Sequence, residues 1–401
     1  MTMMVICATA VMAEEQTIEL QVNNPSTTER ADQPVVLSLA PFGQVASATV
    51  FSGTQEIPCQ LDDLNQDEAY DELCFLADLK GKEQKTYRVT LSTEGEPRAY
   101  PARVFAEMLI RNDKVKEKNK HNNFIESITA RGDCANSYNI QHHHGVDFES
   151  ELNGIRIYFD KRQTLDLYGK FRKRLELEAT QFYTSKEQKA EGYGDDVLWV
   201  GNTFGLGAFR GWDGQQPTMI EPVRSRTQRI VSYGPLRTIV ELVDRDWKPY
   251  ADKPAVNMTI RYTQYAGHRD TDIDVFFNKD VSNYLFSTGI INVKGSEAFS
   301  DQQGLRACWG TDWPSSDHEN FKPETVGLGV CIPQQYIKSE EEANKDNYAF
   351  VVGTTGNHLN YRVIYCSDNE TFGYHSAKEW FNFLKQWKQE VESPVSIILK
   401  D

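Results

Sequence analysis

The chain has 401 residues, of which 39% are hydrophobic, 11% aromatic and 25% charged. This is the composition of a globular protein, and the length allows two domains. The net charge of −15 makes nucleic acid an unsuitable partner, because binding to it depends on a basic surface. No apolar run reaches the roughly 20 residues that a membrane-spanning helix needs, so no membrane span is expected.

The first residues resemble the end of a secretory signal peptide. Residues 3–11 are apolar and small, and Ala13 precedes two glutamates. This pattern predicts a signal peptide over residues 1–13 and a periplasmic or secreted protein. Because the usual positive residues are missing, a buried N-terminal strand is the alternative. Export permits disulfides, and Cys59 and Cys74, which flank an acidic loop, are the expected pair.

Residues 14–102 predict a small immunoglobulin-like β domain. Short runs of alternating polar and apolar residues are separated by turn-forming residues, as in a sandwich of short strands. The expected strands cover residues 17–22, 34–39, 48–51 and 87–91. Gly95, Pro97 and Pro101 interrupt any continuing strand and place the domain boundary there.

Residues 103–401 predict a second, larger β domain. Alternation of polar and apolar residues gives each strand one face towards the core and one towards solvent. This pattern favours stacked antiparallel sheets over a parallel α/β fold. The clearest strands cover residues 154–159, 237–243, 256–262 and 272–277. The fold class is therefore all-β: a small N-terminal immunoglobulin-like sandwich and a large antiparallel supersandwich with a C-terminal helix.

That helix follows Ser376, which can cap it. Trp380, Leu384, Trp387 and Val391 recur at helical spacing. We expect this apolar stripe to pack against the sheets.

Three of the eight histidines are consecutive, at His142, His143 and His144, with Glu149 downstream. Histidine transfers protons near neutral pH and also binds metals. On a strand, His142 and His144 share a face, so they are the candidate ligands of a divalent metal. His143, His144 and Glu149 are the candidate catalytic residues. A polar loop whose histidines bond to the backbone is the alternative.

Arg156 and Tyr158 share a strand face in the next segment. An arginine can hold a carboxylate through two hydrogen bonds, and a nearby tyrosine can donate or accept a proton. Residues 156–174 contain seven basic and two acidic residues, and Lys170 is among the basic ones. This local positive field is suited to an anionic ligand. A solvated strand and turn is the alternative.

A glycine-rich stretch spans residues 192–214. Its glycines fit neither a dinucleotide-binding nor a phosphate-binding loop, and they allow sharp turns beside a ligand. Arg210, Trp212 and Asp213 predict a platform for sugar rings, and Trp313 can line the same cleft from another loop. The alternative is a loop held by a buried tryptophan.

Several of these motifs together resemble a bacterial domain-of-unknown-function family, number 4861, which is associated with secreted carbohydrate-degrading systems. The similar stretches are residues 142–149, 158–160, 166–170, 192–198, 205–207, 212–214 and 233–238. Residues 58–63 and 72–79 resemble the leading β domain of exo-acting rhamnogalacturonan lyases. The resemblance implies a galactose-mutarotase-like supersandwich that acts on pectin or another uronate glycan.

We therefore expect an oligo- or polysaccharide partner and, as the leading hypothesis, a polysaccharide lyase. β-Elimination needs a cation for the uronate carboxylate, a base for the ring proton and an acid for the leaving oxygen. The candidates for these roles are, in that order, Arg156 or Arg210, His143 or His144, and Tyr158 or Tyr233. A divalent metal held by histidines and Glu149 could replace the arginine.

Three alternatives remain. Glycoside hydrolysis would use Glu149 and Asp213 as the carboxylate pair. A mutarotase-type epimerase would use His144 with a carboxylate. A non-catalytic glycan-binding protein would use only the aromatic loops. The three enzymatic hypotheses require the histidine segment, the Arg156 strand and the glycine-rich loop to converge on one cleft.

Overall fold

Alternation of polar and apolar residues gives most of the chain the pattern of antiparallel strands. The computed structural model describes residues 14–400 apart from Lys118 and Ser137, so the expected signal peptide lies outside the described residues. The described chain divides into two compact units. One contains the residues up to Pro101 and those from Pro394 onwards, and the other is Ala102–Ser393. The division at Pro101 lies at the predicted boundary.

The smaller unit is built from short strands in two sheets. Its first strands are β1 (Glu15–Asn23), β2 (Arg30–Ser38), β3 (Ser47–Ser52), β4 (Gln55–Ile57), β5 (Cys59–Asp62), β6 (Glu72–Leu79) and β7 (Gln84–Ser92). Strands β2, β6 and β5 form one sheet, and β1, β7, β3 and β4 belong to the other. Leu20 and Val89 from one sheet share a core with Val35 and Phe75 from the other, as the predicted sandwich requires.

The predicted disulfide between Cys59 and Cys74 is wrong. In the β5–β6 pair, Cys59 lies opposite Phe75, and Cys74 lies opposite Gln60. Because successive side chains of a strand point to opposite faces, the two sulfurs lie on different sides of the sheet. Cys59 is a free, buried thiol that donates to the carbonyl of Ala48 at 3.6 Å.

The larger unit contributes many more strands and the α-helices. Its strands are β8 (Val104–Glu107), β9 (Leu109–Ile110), β10 (Asn123–Phe124), β11 (Ser127–Arg131), β12 (Gly145–Ser150), β13 (Gly154–Tyr158), β14 (Leu165–Gly169), β15 (Asp195–Asp196), β16 (Arg210–Trp212), β17 (Pro217–Thr218), β18 (Ser225–Tyr233), β19 (Arg237–Trp247), β20 (Val256–Tyr265), β21 (Asp270–Phe277), β22 (Phe286–Ile291), β23 (Glu297–Ser300), β24 (Leu305–Asp312), β25 (Glu324–Cys331), β26 (Ile337–Glu340), β27 (Asn347–Val352) and β28 (His358–Ser367). The helices are α1 (Leu177–Thr180), α2 (Lys186–Ala190) and α3 (Ala377–Glu392). Within the described ranges, no helix is both long enough and apolar enough to cross a bilayer.

The last strand, β29 (Ser396–Lys400), pairs antiparallel with β1. It completes the five-stranded sheet β29-β1-β7-β3-β4 of the smaller unit. The C-terminal residues therefore belong to the smaller unit, although the sequence assigned them to the larger domain.

The larger unit stacks two short sheets on one long sheet. The long sheet has nine strands in the order β11-β18-β19-β20-β21-β28-β25-β24-β23. The five-stranded sheet β15-β14-β13-β12-β8 packs against β18, β19 and β20, and the sheet β17-β16-β22-β27-β26 packs against β24 and β25. A single apolar core fills the space between them. This architecture confirms the predicted all-β fold with a large antiparallel supersandwich.

Helix α3 confirms the predicted C-terminal helix. The Ser376 side chain caps it by accepting a hydrogen bond from the Glu379 backbone N–H at 3.3 Å. Trp380, Leu384 and Trp387 are buried against strands β24 and β25, on the face of the long sheet opposite the main core. The helix thus covers a sheet face that would otherwise expose apolar side chains.

Replacing Leu384 with alanine should destabilise the larger unit by about 2–5 kcal/mol, because it leaves a cavity under a fully buried side chain. Urea unfolding monitored by tryptophan fluorescence measures the change. Gln386→Ala, on the exposed face of the same helix, is the matched control and should change stability by less than about 0.5 kcal/mol. Equal losses in both variants would contradict the packing described for α3.

Candidate functional site

Four charged residues lie side by side across four neighbouring strands. Asp147 of β12 lies opposite both Glu107 of β8 and Arg156 of β13, and Arg156 lies opposite Asp166 of β14. Residues opposite each other share a sheet face, so these four side chains form a row (the charged row). The alternating residues on the other face, such as Val146, belong to the apolar core.

The charged row is itself covered, because every residue of β12, β13 and β14 is buried. A polar layer shielded from water must find its hydrogen-bond partners inside the protein. The two halves of the row do this in different ways.

One half of the charged row contains Arg156 and Asp166. Together with Tyr158 and Asp196, these residues form the group that we call the proton-transfer unit. Arg156 donates to Asp166 Oδ2 from Nε at 3.0 Å and from Nη2 at 2.7 Å. Its Nη2 also donates to Asp196 Oδ2 at 3.2 Å and to the Tyr158 hydroxyl at 3.0 Å. That hydroxyl donates in turn to Asp166 Oδ2 at 2.5 Å.

The charges of this unit favour a proton on Asp196. Burial raises the pKa of Asp196 well above its ordinary value, and the neighbouring Asp166 carboxylate raises it further, while Arg156 opposes the shift. Burial also raises the pKa of the Tyr158 hydroxyl. One guanidinium therefore faces two carboxyl groups, and burial beside Asp166 favours the protonated form of Asp196.

The proton-transfer unit forms the floor of a cleft of about 540 Å³. Trp199, whose side chain is 54% exposed, lies at its edge, and Tyr138 and Tyr183 line its walls. The charged groups of the walls include Arg162, Lys186, Lys189, Asp195 and Asp317. An exposed indole above buried acid and base groups is an arrangement suited to a sugar ring.

His144 also lines this cleft. It has a positive φ of 68°, and its ring stacks on Tyr138 with 3.9 Å between centroids. Its Nδ1 lies 3.0 Å from the Tyr138 carbonyl oxygen, which can only accept, so Nδ1 carries the hydrogen. This tautomer, assigned from the hydrogen-bond network, leaves the lone pair on Nε2. Burial lowers the pKa of His144 to about 4.

The other half of the charged row contains His143 between Glu107 and Asp147. His143 Nε2 lies 3.7 Å from Glu107 Oε1 and 3.4 Å from Asp147 Oδ2. All three residues are at most 2% exposed. His143 is thus sealed from solvent, which corrects its predicted role as a catalytic base. Among the described residues, Glu107, His143 and Asp147 are the group in which one ligand atom from each residue lies close enough to the others to hold a metal ion.

His142 lies outside both groups. Residues 142–144 form a turn before β12 rather than the predicted strand. His142 stacks on His121 with 3.9 Å between ring centroids, and His142 and His144 both line a second cavity of about 440 Å³. The predicted metal pair of His142 and His144 stays a prediction, and among the described residues no third ligand completes a metal cluster with them.

Glu149 and Lys170 are buried and form an ion pair with each other. Lys170 Nζ also donates to the Ser150 carbonyl at 2.7 Å. Glu149 Oε1 accepts from the backbone N–H groups of Glu176 and Leu177, each at 2.8 Å. Both side chains are therefore structural, which corrects their predicted catalytic and substrate-binding roles.

The basic stretch over residues 156–174 does not present a free positive field. Most of its cations are paired with carboxylates from the same region of the fold. These ion pairs are Arg156–Asp166, Lys161–Glu221, Arg162–Asp160, Lys170–Glu149 and Arg174–Glu176.

The remaining predicted site residues do not line the cleft. Arg210 is buried, donates to Thr164 Oγ1 at 2.8 Å and lines a neighbouring cavity of about 870 Å³, which shares Trp199 with the cleft. Trp212 is also buried. Asp213 is exposed and accepts from two backbone N–H groups of its own turn, so it does not form the predicted carboxylate pair with the buried Glu149.

Two aromatic candidates have other surroundings. Trp313 stacks on His318 with 3.8 Å between ring centroids, just before the segment of Pro314 and Ser315 that lines the cleft. Tyr233 is 46% exposed at the end of β18 and lines none of the cavities described above. The predicted convergence thus holds for His144, Arg156 and Tyr158, which line the cleft together with residues of the glycine-rich stretch such as Asp196 and Trp199. It does not hold for Arg210, Trp212 and Asp213, which do not line the cleft.

Sequence reasoning missed Asp166, Asp196, Glu107, Asp147 and Trp199. Asp147 and Asp166 alternate with apolar residues on their strands, a pattern that identifies a polar face but does not show which strands are neighbours. Trp199 lies within the glycine-rich stretch of residues 192–214, and its indole could have been considered as a sugar platform beside Trp212.

A family model described as Domain of unknown function (DUF4861) matches residues 22–397. The chain belongs to this family. The match confirms the resemblance found in the sequence and extends it to both units. No curated protein matches the sequence.

The DUF4861 chain is also similar to solved structures. One is a protein in glycosyl hydrolase family 38 from Enterococcus faecalis, with a TM-score of 0.51 and 9% identity over 96% of this chain and 47% of that one. Another is an α-mannosidase from Enterococcus faecalis V583, with a TM-score of 0.48 and 9% identity over 96% of this chain and 46% of that one. The chain spans about half the length of both, and the first likeness shows a shared fold.

Replacing Lys170 with methionine should destabilise the protein by about 3–5 kcal/mol, because it leaves the Glu149 carboxylate buried and unpaired. Adding Glu149→Gln to that variant should recover part of the loss. Lys189→Met is the control, since its pair with Asp195 is partly exposed and should contribute at most about 1 kcal/mol. Urea unfolding measures all three. A Lys170→Met protein as stable as the control would contradict the structural role.

Proposed function

We propose that the DUF4861 protein binds a glycan in the cleft above the proton-transfer unit and cleaves it by acid–base chemistry. The observation that carries the proposal is the exposed Trp199 indole beside a buried Tyr158–Asp166–Arg156 network. Aromatic faces bind the C–H surfaces of sugars, while the buried groups can exchange protons. The shared fold with a protein in glycosyl hydrolase family 38 supports a carbohydrate substrate. The apolar first residues support action in the periplasm or outside the cell.

β-Elimination at a uronate is the reaction that we propose first. His144 lies in the cleft with the Nε2 lone pair available, so it can accept the ring proton next to the carboxylate. Tyr158 can donate its hydroxyl proton to the leaving glycosidic oxygen, as the bond to that oxygen breaks and a carbon–carbon double bond forms. Arg156 then stabilises the phenolate from 3.0 Å.

The substrate carboxylate needs a different cation from the one predicted. Arg156 already forms ion pairs with Asp166 and Asp196, so its guanidinium is not free to bind a uronate carboxylate. Arg162 and Lys186 lie on the cleft walls, and Lys186 is exposed. Because Arg162 already pairs with Asp160, we assign uronate binding to Lys186.

Hydrolysis is the second candidate, because two carboxyl groups flank one guanidinium. Asp166 Oδ2 and Asp196 Oδ2 accept from the same Arg156 nitrogen at 2.7 and 3.2 Å, so they lie at most about 5.9 Å apart, the two bond lengths combined. Retaining glycosidases place their carboxyl groups about 5–5.5 Å apart. The raised pKa of Asp196 would make it the general acid, and Asp166 would be the nucleophile.

Replacing Tyr158 with phenylalanine should lower kcat by roughly 10²- to 10⁴-fold with little change in KM, because it removes the proton donor but keeps the ring. Activity is measured on a panel of pectic and glucuronate-bearing polysaccharides. Ultraviolet absorbance of an unsaturated uronate reports elimination, and new reducing ends without that absorbance report hydrolysis.

Trp199→Ala is the companion variant and should raise KM while leaving kcat nearly unchanged, because the indole is assigned to binding. Wild-type protein that binds these glycans without either product would reject the enzymatic proposal in favour of glycan binding. A Tyr158→Phe enzyme with wild-type kcat would remove the hydroxyl from the mechanism.

Replacing Asp196 with asparagine should raise the Tm at neutral pH, and it should abolish turnover only in the hydrolysis mechanism, where Asp196 is the general acid. A buried acid whose pKa is raised on folding favours the folded state when protonated. Its contribution is present below the unfolded pKa and is lost as the pH rises through the folded pKa. Asparagine removes this loss, so the Tm gain over wild type should grow between acidic and neutral pH. Differential scanning calorimetry across pH checks this, and a pH-independent difference would argue against it.

A further inference from the structure

The cluster of Glu107, His143 and Asp147 presents an unusual set of buried polar atoms. Both carboxylate oxygens of Glu107 and of Asp147, and both ring nitrogens of His143, have no hydrogen-bond partner in the described part of the chain. These residues are 2%, 0% and 0% exposed. Leaving even one such group unsatisfied in a protein interior costs about 1–3 kcal/mol, so this cluster of six atoms indicates a ligand that the protein itself does not supply.

The surrounding charges do not supply that partner. Arg156 lies opposite Asp147 in the strand register, but its guanidinium donates to Asp166, Asp196 and Tyr158 instead. Lys170, on the same sheet, pairs with Glu149. The two carboxylates of the cluster therefore lack a protein cation, and a buried charge without compensation is strongly unfavourable.

We propose that Glu107, His143 and Asp147 bind one divalent cation of the first transition row, such as Zn²⁺ or Mn²⁺. The two carboxylates would neutralise the ion, and the imidazole would supply a nitrogen ligand. The donor atoms all lie within 4.8 Å of one another. Two ligands at about 2.1 Å from a tetrahedral ion are roughly 3.4 Å apart, close to the separations of His143 Nε2 from the two carboxylates.

The donor set explains the choice of metal. Imidazole suits Zn²⁺ and the later first-row ions, and carboxylates suit Mn²⁺ as well as Mg²⁺ and Ca²⁺. One nitrogen with up to four oxygens therefore favours a transition ion over Mg²⁺ or Ca²⁺, which take oxygen ligands.

The place of the cluster indicates a positioning role for the ion. Structural metal sites are closed to solvent, whereas catalytic sites keep an open position, and this cluster is closed. It would connect β8 and β12 to the turn at residues 142–144. The next residue of that turn, His144, lines the cleft, so the ion would fix the cleft wall without contacting the substrate.

Metal content of the purified full-length chain tests the proposal independently of any glycan. Protein stripped with a chelator and dialysed against Zn²⁺ or Mn²⁺ should retain about one ion per chain by mass spectrometry. Its Tm should rise by roughly 5 °C or more at saturating metal, because the ion binds only the folded state. Retention of less than about 0.2 ion per chain, or a Tm that metal does not change, would overturn the proposal.

Asp147→Asn and Glu107→Gln should each weaken metal retention at least about tenfold. Asp166→Asn, which alters the same charged row two strands from Asp147, is the matched control and should keep the ion. Equal retention in Asp147→Asn and wild type would also reject the site. If the cluster variants do not fold, the visible absorption of cobalt-loaded wild type decides, since imidazole and carboxylate ligands in a closed site give bands that aqueous Co²⁺ lacks.

Discussion

The structure depends on a sheet that is buried on both faces. The sheet β15-β14-β13-β12-β8 packs its apolar side chains into the core of the supersandwich, and its other face carries the charged row. Because this row is covered, the guanidinium N–H groups of Arg156 must find their acceptors inside the protein. They donate to the carboxylates of Asp166 and Asp196. The same constraint pairs Lys170 with Glu149 and leaves Glu107 and Asp147 facing His143. The site is the polar half of an amphipathic sheet.

Alternation and turn signals were sufficient to predict much of the fold. The strands around residues 154–159 and 237–243 and helix α3 were predicted close to their observed bounds, because burial of one face imposes a period that a sequence shows directly. The pairing of β29 with β1 was not predicted, because no local sequence pattern shows which distant strand pairs with the edge of a sheet.

The site was predicted only in part, for the same reason. Arg156 and Tyr158 share a strand face at a spacing of two, so their common cleft followed from local geometry. Their partners Asp166 and Asp196 come from neighbouring strands, and that register is a tertiary property. The histidine segment misled because it forms a turn rather than a strand, in which His143 is sealed inside the protein while His142 and His144 line a cavity.

The pairing of β29 with β1 has a consequence for the order of folding. Asn23 Nδ2 donates to Ser396 Oγ across a sequence separation of 373 residues. Because β1 is synthesised long before β29, one edge of this sheet stays without its neighbour until β29 has left the ribosome. Until then, β1 exposes unsatisfied backbone groups along that edge, which can pair with other chains and favour aggregation.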